Sequence, residues 1–294
     1  MKAKNLLAIA LIATLGFTAC SNDEEPTIGA SGDIVQINGS VNGPKAKAVI
    51  DDNTGEGSFE NDDVWGMYAT VGGSYVLNNS TYTVGSTTLY WSNLSETALV
   101  TFAAHYPRIT ATIADPAAYV FNAATATNPD LLVATPVTKS KGEEVDLTFN
   151  HMMHQLLITL DKDPVKIPES LLDAEVTLLN MKSSAKVNLL TGVVDASTAS
   201  GTDAYPVKEG AAIFITAPQQ LTAGTDWIKI ELAGKTYTFK VPVGLTELQS
   251  GKRVTLALTL TKKPDGTTAV TLTNQGISAW NNQMPTIDGD ANEN

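Results

Sequence analysis

One cysteine, Cys20, serves all 294 residues. An internal disulfide is therefore excluded, and no CxxC pair is available to hold zinc. Histidine occurs three times and aromatic residues make up 6% of the chain, which leaves few imidazoles for proton transfer or metal binding. Basic residues are outnumbered 19 to 31 by acids, for a net charge of −12. A surface of that sign repels phosphate backbones, so nucleic acid is not an expected partner. No apolar run reaches the roughly eighteen residues of a membrane-spanning helix. GxSxG, HExxH, GxGxxG and phosphate-loop patterns are all missing, so no enzyme class is signalled and no cofactor is expected. Paired carboxylates of a glycosidase would escape such a scan, because their spacing is set in space.

What is present begins with Lys2 and Lys4 ahead of an apolar run, Leu6 to Phe17, that ends in small residues. That arrangement is a signal peptide. Phe17-Thr18-Ala19-Cys20 resembles a bacterial lipobox, with phenylalanine where leucine is more usual. Residues 1–19 then read as a removable leader and Cys20 as a lipid-attachment site that anchors the chain by its acyl groups. Residues 20–32, with Asp23, Glu24 and Glu25, read as an acidic tether similar to the address of surface-exported outer-membrane lipoproteins.

Past the tether, apolar and polar residues alternate with the two-residue period of half-buried strands. Val254, Leu256, Leu258 and Leu260 form one such row; Val100, Phe102, Ala104 and Tyr106 form another; Ile228, Ile230 and Leu232 a third. Turn signals such as Val71-Gly72-Gly73-Ser74, Ala233-Gly234-Lys235 and Pro264-Asp265-Gly266 separate them. The expectation is an all-β chain of two tandem antiparallel β-sandwich domains. Charges and prolines at 161–168 place the boundary there, giving domains at 33–163 and 164–287 and a polar, unstructured tail at 288–294.

Chemistry has few candidates. His151-Met152-Met153-His154 could supply soft and borderline metal ligands, but Val145, Leu147 and Phe149 alternate ahead of it. A continuing strand would send the two histidines to opposite faces, so packing outweighs metal binding and no metal residues are assigned. The segment 51–56 departs from a calcium loop at the glycine and ligand positions.

Several stretches, in order, are similar to landmarks of the fimbrillin (Mfa-like) family: Phe59-Glu60-Asn61-Asp62-Asp63-Val64-Trp65-Gly66-Met67-Tyr68, Leu89-Tyr90-Trp91-Ser92, Phe102 to Pro107, Val145 to Leu156, Ala217-Pro218-Gln219-Gln220, Leu248 to Arg253, and Ile277-Ser278-Ala279-Trp280. The resemblance implies transthyretin-like β-sandwiches in a pilus subunit, a lipoprotein of the outer membrane and fimbrium. It also implies a trypsin-like protease that removes a first strand, other pilin subunits as partners, and host or bacterial surface ligands. The strand to be removed is expected at Asp33 to Val41, with Val35, Ile37 and Val41 facing inward, and the cut after Lys45 or Lys47. Candidate donor residues for a neighbour's groove are Val270, Leu272, Ile277 and Trp280. An uncleaved anchor or tip subunit, and a surface glycan-binding lipoprotein with exposed aromatics, remain alternatives; nothing positive speaks for a surface hydrolase.

The lipobox reading is checked by Cys20→Ala. The variant should disappear from the outer-membrane fraction and from any fimbria, and retention of both would refute acylation at this residue.

Overall fold

The computed structural model describes residues 33–42, 59–162, 167–201, 205, 207–262, 268–274 and 290–293. Cys20, Lys45, Lys47, Ile277, Trp280 and the 51–56 segment lie outside the described residues.

Alternation becomes strand along nearly all of this length. In chain order the first half forms β1 (Ile37–Val41), β2 (Val64–Val71), β3 (Ser74–Thr83), β4 (Val100–Tyr106), β5 (Tyr119–Asn122), β6 (Leu132–Ala134), β7 (Val137–Lys139), β8 (Val145–His151) and β9 (His154–Lys162). The second half forms β10 (Glu175–Leu178), β11 (Ser184–Asn188), β12 (Val193–Ser200), β13 (Lys208–Glu209), β14 (Ala212–Thr216), β15 (Gln219–Gln220) and β16 (Asp226–Leu232). It closes with β17 (Lys235–Lys240), β18 (Glu247–Leu248), β19 (Arg253–Lys262), β20 (Thr268–Asn274) and β21 (Asp290–Glu293). Helix among the described residues is limited to single 3-10 turns at Trp91–Asn93, Pro116–Ala118 and Leu171–Asp173.

A seven-stranded sheet runs β1-β8-β6-β4-β2-β3, with β7 also on β4, and a nine-stranded sheet runs β13-β10-β16-β17-β21-β20-β19-β9-β14. Smaller sheets join β12, β11 and β5, and β15 with β18. The hairpins turn where glycine allows. Gly72 and Gly73 (φ 56° and 84°) link β2 to β3, and Ala233 and Gly234 (φ 52° and 74°) link β16 to β17. Two successive positive φ values are what a two-residue hairpin matched to the strand twist requires.

Each large sheet buries one row of its strands. Val254, Leu256, Leu258 and Leu260 join Ile228, Ile230 and Phe239 in the core of the nine-stranded sheet. Trp65, Trp91, Phe102, Leu147 and Phe149 build the core of the seven-stranded one. A further core lies at the seam, where Tyr68, Leu131 and Met153 meet Val187 and Leu189.

The structure departs from the sequence expectation in three places. β9 ends at Lys162 yet belongs to the nine-stranded sheet, between β14 and β19. The chain therefore changes sheets between His151 and His154, ahead of the boundary expected at 161–168, and β5 crosses to pair with β11. An apolar row reads the same whichever sheet receives it, so its partner is a tertiary choice. Two pairs, β1 with β8 and β9 with β19, are parallel; partners about a hundred residues apart leave no hairpin signal to reveal direction. Finally, Asp290–Glu293 forms β21, paired with β17 and β20, although a polar tail was expected to stay unstructured. A backbone ladder needs no apolar side chain.

The seam is sensitive at Gly251. Its φ is +64°, and a Cβ there would stand 2.9 Å from the His151 carbonyl oxygen. Gly251→Ala should cost about 1–3 kcal/mol through strain and this contact, read as a fall of several degrees in Tm; an unchanged melting curve would show that the turn relaxes freely.

Candidate functional site

The segment 33–42 lies across two partners. Its first residues run against the stretch 89–91, with Val35 N–H donating to the Leu89 carbonyl at 2.9 Å and Trp91 N–H donating to the Asp33 carbonyl at 2.7 Å. From Ile37 onward it becomes β1, parallel to β8, in register Ile37 with Val145 through Val41 with Phe149. β1 is an edge of the seven-stranded sheet. A strand held by one ladder is the easiest kind to detach or replace.

Its inward row is Val35, Ile37, Gly39 and Val41. Val35 is 5% exposed, and Ile37 and Val41 are half-buried against the core. The burial is worth about 3–6 kcal/mol, below the full value for three side chains because two of them keep solvent contact. Beneath the row lies an aromatic bed. Phe59, Trp65 and Phe149 have ring centroids 4.6–4.8 Å apart, and Tyr82 stacks on Trp65 at 5.1 Å. Gly39 is the point of closest approach: a Cβ on it would stand 2.3 Å from Cη2 of Trp65. Sequence reasoning passed over Gly39, although a glycine inside an apolar row is the usual sign that something approaches the backbone closely.

The start of the segment is clasped by polar groups. Asp33 accepts from the Ser92 hydroxyl at 2.7 Å and the Ser92 N–H at 3.2 Å, and Lys141 reaches both Asp33 (3.1 Å) and Glu96 (2.6 Å). The Ser92 bonds, then Lys141, hold the Asp33 carboxyl below its ordinary range. On the outer face Asn38 donates to Asp146 and Asn42 to Asn150, each at 2.8 Å.

Several of the sequence landmarks fall at two places. Phe59 and Trp65, Trp91 and Ser92, and Phe149 surround the first strand. His154, Gln155 and the stretch 249–253 meet at the seam, where the buried Arg253 guanidinium donates to the Gln155 side chain and the Gln155 N–H donates to the Lys252 carbonyl. Of the candidate donor residues, Val270 is buried and Leu272 half-buried in the core of the nine-stranded sheet. Their strand, β20, is paired on both sides, with β19 and β21. Lys45, Lys47, Ile277 and Trp280 are not among the described residues, so the structure assigns them no position.

The histidines are packed. His151 sits at the end of β8 with its Nδ1 2.9 Å from Asp130, while His154 opens β9 and its Nδ1–H donates to the Gln249 carbonyl at 3.0 Å. They stand on different strands, because Met152 and Met153 turn the chain between sheets; a single continuing strand was the expectation. His105 Nε2 accepts from the Ile109 N–H at 3.2 Å. Among the described residues no group of three or more His, Cys, Asp or Glu could hold a metal ion. A cleft of about 670 Å³ opens between residues 123–130 and β14, but Asp130 and Gln155 on its wall are engaged by His151 and Arg253. Trp65, Trp91 and Trp227 are at most 2% exposed, so the described tryptophans offer no stacking face for a sugar. No helix among the described residues is long and apolar enough to cross a membrane.

Comparison with known proteins agrees with the geometry. A family model described as fimbrillin-like matches residues 34–280. A crystal structure of a candidate cell adhesion protein from Bacteroides uniformis superposes with a TM-score of 0.57 at 18% identity, covering 85% of this chain and 99% of that one. A candidate cell adhesion protein from Bacteroides ovatus gives 0.55 at 20% identity, covering 83% and 97%. At these identities the likeness is one of fold. No curated protein matches the chain.

Burial pulls His105 and His154 down to about 4, helped at His105 by Arg108 and opposed at His154 by the Gln249 carbonyl. Their folded values lie below the unfolded value, so the stability they confer is complete above about pH 6.5 and is lost as pH falls toward 4. Each contributes up to about 3 kcal/mol over that window. Tm should fall between pH 7 and pH 4.5, and the fall should be smaller in His154→Gln; equal slopes would show that other groups carry the acid sensitivity.

Proposed function

Because the chain belongs to the fimbrillin-like family, we propose that it is a subunit of a surface fimbria, exported as an outer-membrane lipoprotein through Cys20. In this reading a trypsin-like protease cuts after Lys45 or Lys47, β1 leaves, and a strand from a neighbouring pilin subunit takes its place. The subunit is structural and adhesive, with no catalytic step. The observation that carries the reading is the placement of β1: an edge strand, on one ladder, over an aromatic bed, continuing directly into the segment that contains the two lysines.

Removing such a strand leaves the outer edge of β8 without its ladder and uncovers the bed of Phe59, Trp65 and Phe149. Both demands are met together by an incoming extended segment, which restores backbone bonds and fills alternate side-chain positions. Head-to-tail donation of this kind does not close on itself, so it propagates as a fibre. The lipid on Cys20 would keep each precursor apart on the membrane until the cut is made. The departing peptide carries the anchor with it.

Limited trypsin digestion tests this. The expected result is a cut after Lys45 or Lys47, followed by a ladder of oligomers, while a variant with both lysines changed to glutamine stays monomeric under the same treatment. Cut protein that remains monomeric at high concentration would overturn strand exchange and favour the uncleaved anchor or tip role.

A further inference from the structure

Asparagine followed by glycine occurs twice in the chain, at Asn38-Gly39 and Asn42-Gly43. In sequence such a pair signals a hairpin turn. Asn38-Gly39 instead lies in the middle of β1, in an extended strand paired in parallel with β8. The glycine answers to Trp65, whose Cη2 and Cζ2 fill the space a Cβ would need. The asparagine stands on the opposite, exposed side, where its Nδ2 donates to Asp146 at 2.8 Å.

The pair matters chemically because the asparagine amide is labile and its Cγ is placed to close a five-membered ring with the next backbone nitrogen. A side chain on the next residue crowds that nitrogen, and glycine leaves it open. The strand also leaves it free. The Val145 N–H donates to the Gln36 carbonyl and the Asn42 N–H to the Phe149 carbonyl, so the even-numbered residues of β1 direct their backbone groups at β8. Odd-numbered residues turn theirs the other way, as Val35 does toward Leu89. Gly39 therefore points its N–H to the open side of an edge strand, where no described strand pairs with it. A strand held by one ladder opens locally at low cost, and opening supplies the backbone rotation that ring closure needs.

We propose that Asn38 is a site of spontaneous modification, deamidation through a cyclic imide with Gly39, and that the product loosens β1 from β8. The Gly39 nitrogen gives its proton to solvent and attacks Cγ of Asn38. The new N–C bond closes the ring, the bond from Cγ to Nδ2 breaks, and Nδ2 leaves as ammonia after taking a proton from water. Water then adds to either imide carbonyl and breaks its bond to the Gly39 nitrogen. One opening gives aspartate at position 38 and the other isoaspartate. Water enters, ammonia leaves, and no oxidant or reductant takes part.

Each product weakens the strand in its own way. Aspartate exchanges a donor for a second carboxylate directly opposite Asp146, a like-charge pair across the ladder. Isoaspartate carries the main chain through Cβ and Cγ, which adds one backbone atom ahead of Gly39. The alternation that sets Gly39 over Trp65 and Val41 against the core is then broken. The same reaction at Asn42 sets a carboxylate against Asn150, a neutral partner, so Asn38 is the sensitive position. The site belongs to the chain with β1 in place and does not depend on strand exchange.

The test incubates full-length protein at pH 6 and at pH 8, maps it by peptide mass spectrometry, and reads isoaspartate with an isoaspartyl methyltransferase. Conversion at Asn38 should rise with pH, because the attacking nitrogen must lose its proton. It should also exceed conversion at Asn93, which precedes Leu94, several-fold. Asn38→Gln, whose ring would need six members, should suppress it. Asn38→Asp should lower Tm at low salt, and Asp146→Asn in the same chain should recover most of the loss; added salt should narrow the difference. Conversion at Asn38 that is no faster than at Asn93, or that is independent of pH, would overturn the site. An Asn38→Asp chain that melts with the unmodified protein, or whose loss Asp146→Asn leaves untouched, would overturn the loosening of β1.

Discussion

The contact on which the rest of this molecule turns is the Trp65 indole laid against the bare backbone of Gly39. Trp65 sits in the seven-stranded core with Phe59, Tyr82 and Phe149 around it, so a large ring rests on an edge strand. Interiors pack at crystal density and have no room for a displaced ring. The same contact thus fixes glycine at this point of the first strand.

The polar contacts around the strand are arranged differently from the apolar ones. Asp33, Ser92, Lys141 and Glu96 fasten its beginning at the surface, where each ion pair is worth little and is screened by salt. The row Val35, Ile37 and Val41 supplies the larger share. The attachment is strong along the row and modest at the surface, which under the proposed function is what a replaceable strand requires.

The seam is the second structural commitment. Gly251, Gln155, Arg253 and the packed histidines join the end of the first sheet to the start of the second, with Gly251 N–H on the Met153 carbonyl and Ser250 on the Met152 carbonyl. Several of the sequence landmarks fall on this seam or on the bed of the first strand. At Gly39 and Gly251 the backbone is approached too closely for residues to be exchanged at will, whereas an ordinary strand row tolerates any apolar residue of suitable size.

Much of the fold was legible because a two-residue period is a local property: rows such as Val254 to Leu260 and the glycine turns at 72–73 and 233–234 announce strands and hairpins without reference to anything distant. The acidic balance and the landmarks of the family are equally local. Sheet membership is another matter. β9 reads as a continuation of the first half and joins the second sheet, β1 and β9 choose parallel partners about a hundred residues away, and a polar stretch at the chain end becomes β21 because backbone groups pair without help from side chains. The residue that matters most at the first strand, Gly39, looks in sequence like a gap in an apolar row. Only the packed structure shows that Trp65 fills the gap, since the meaning of a missing side chain lies in what has taken its space.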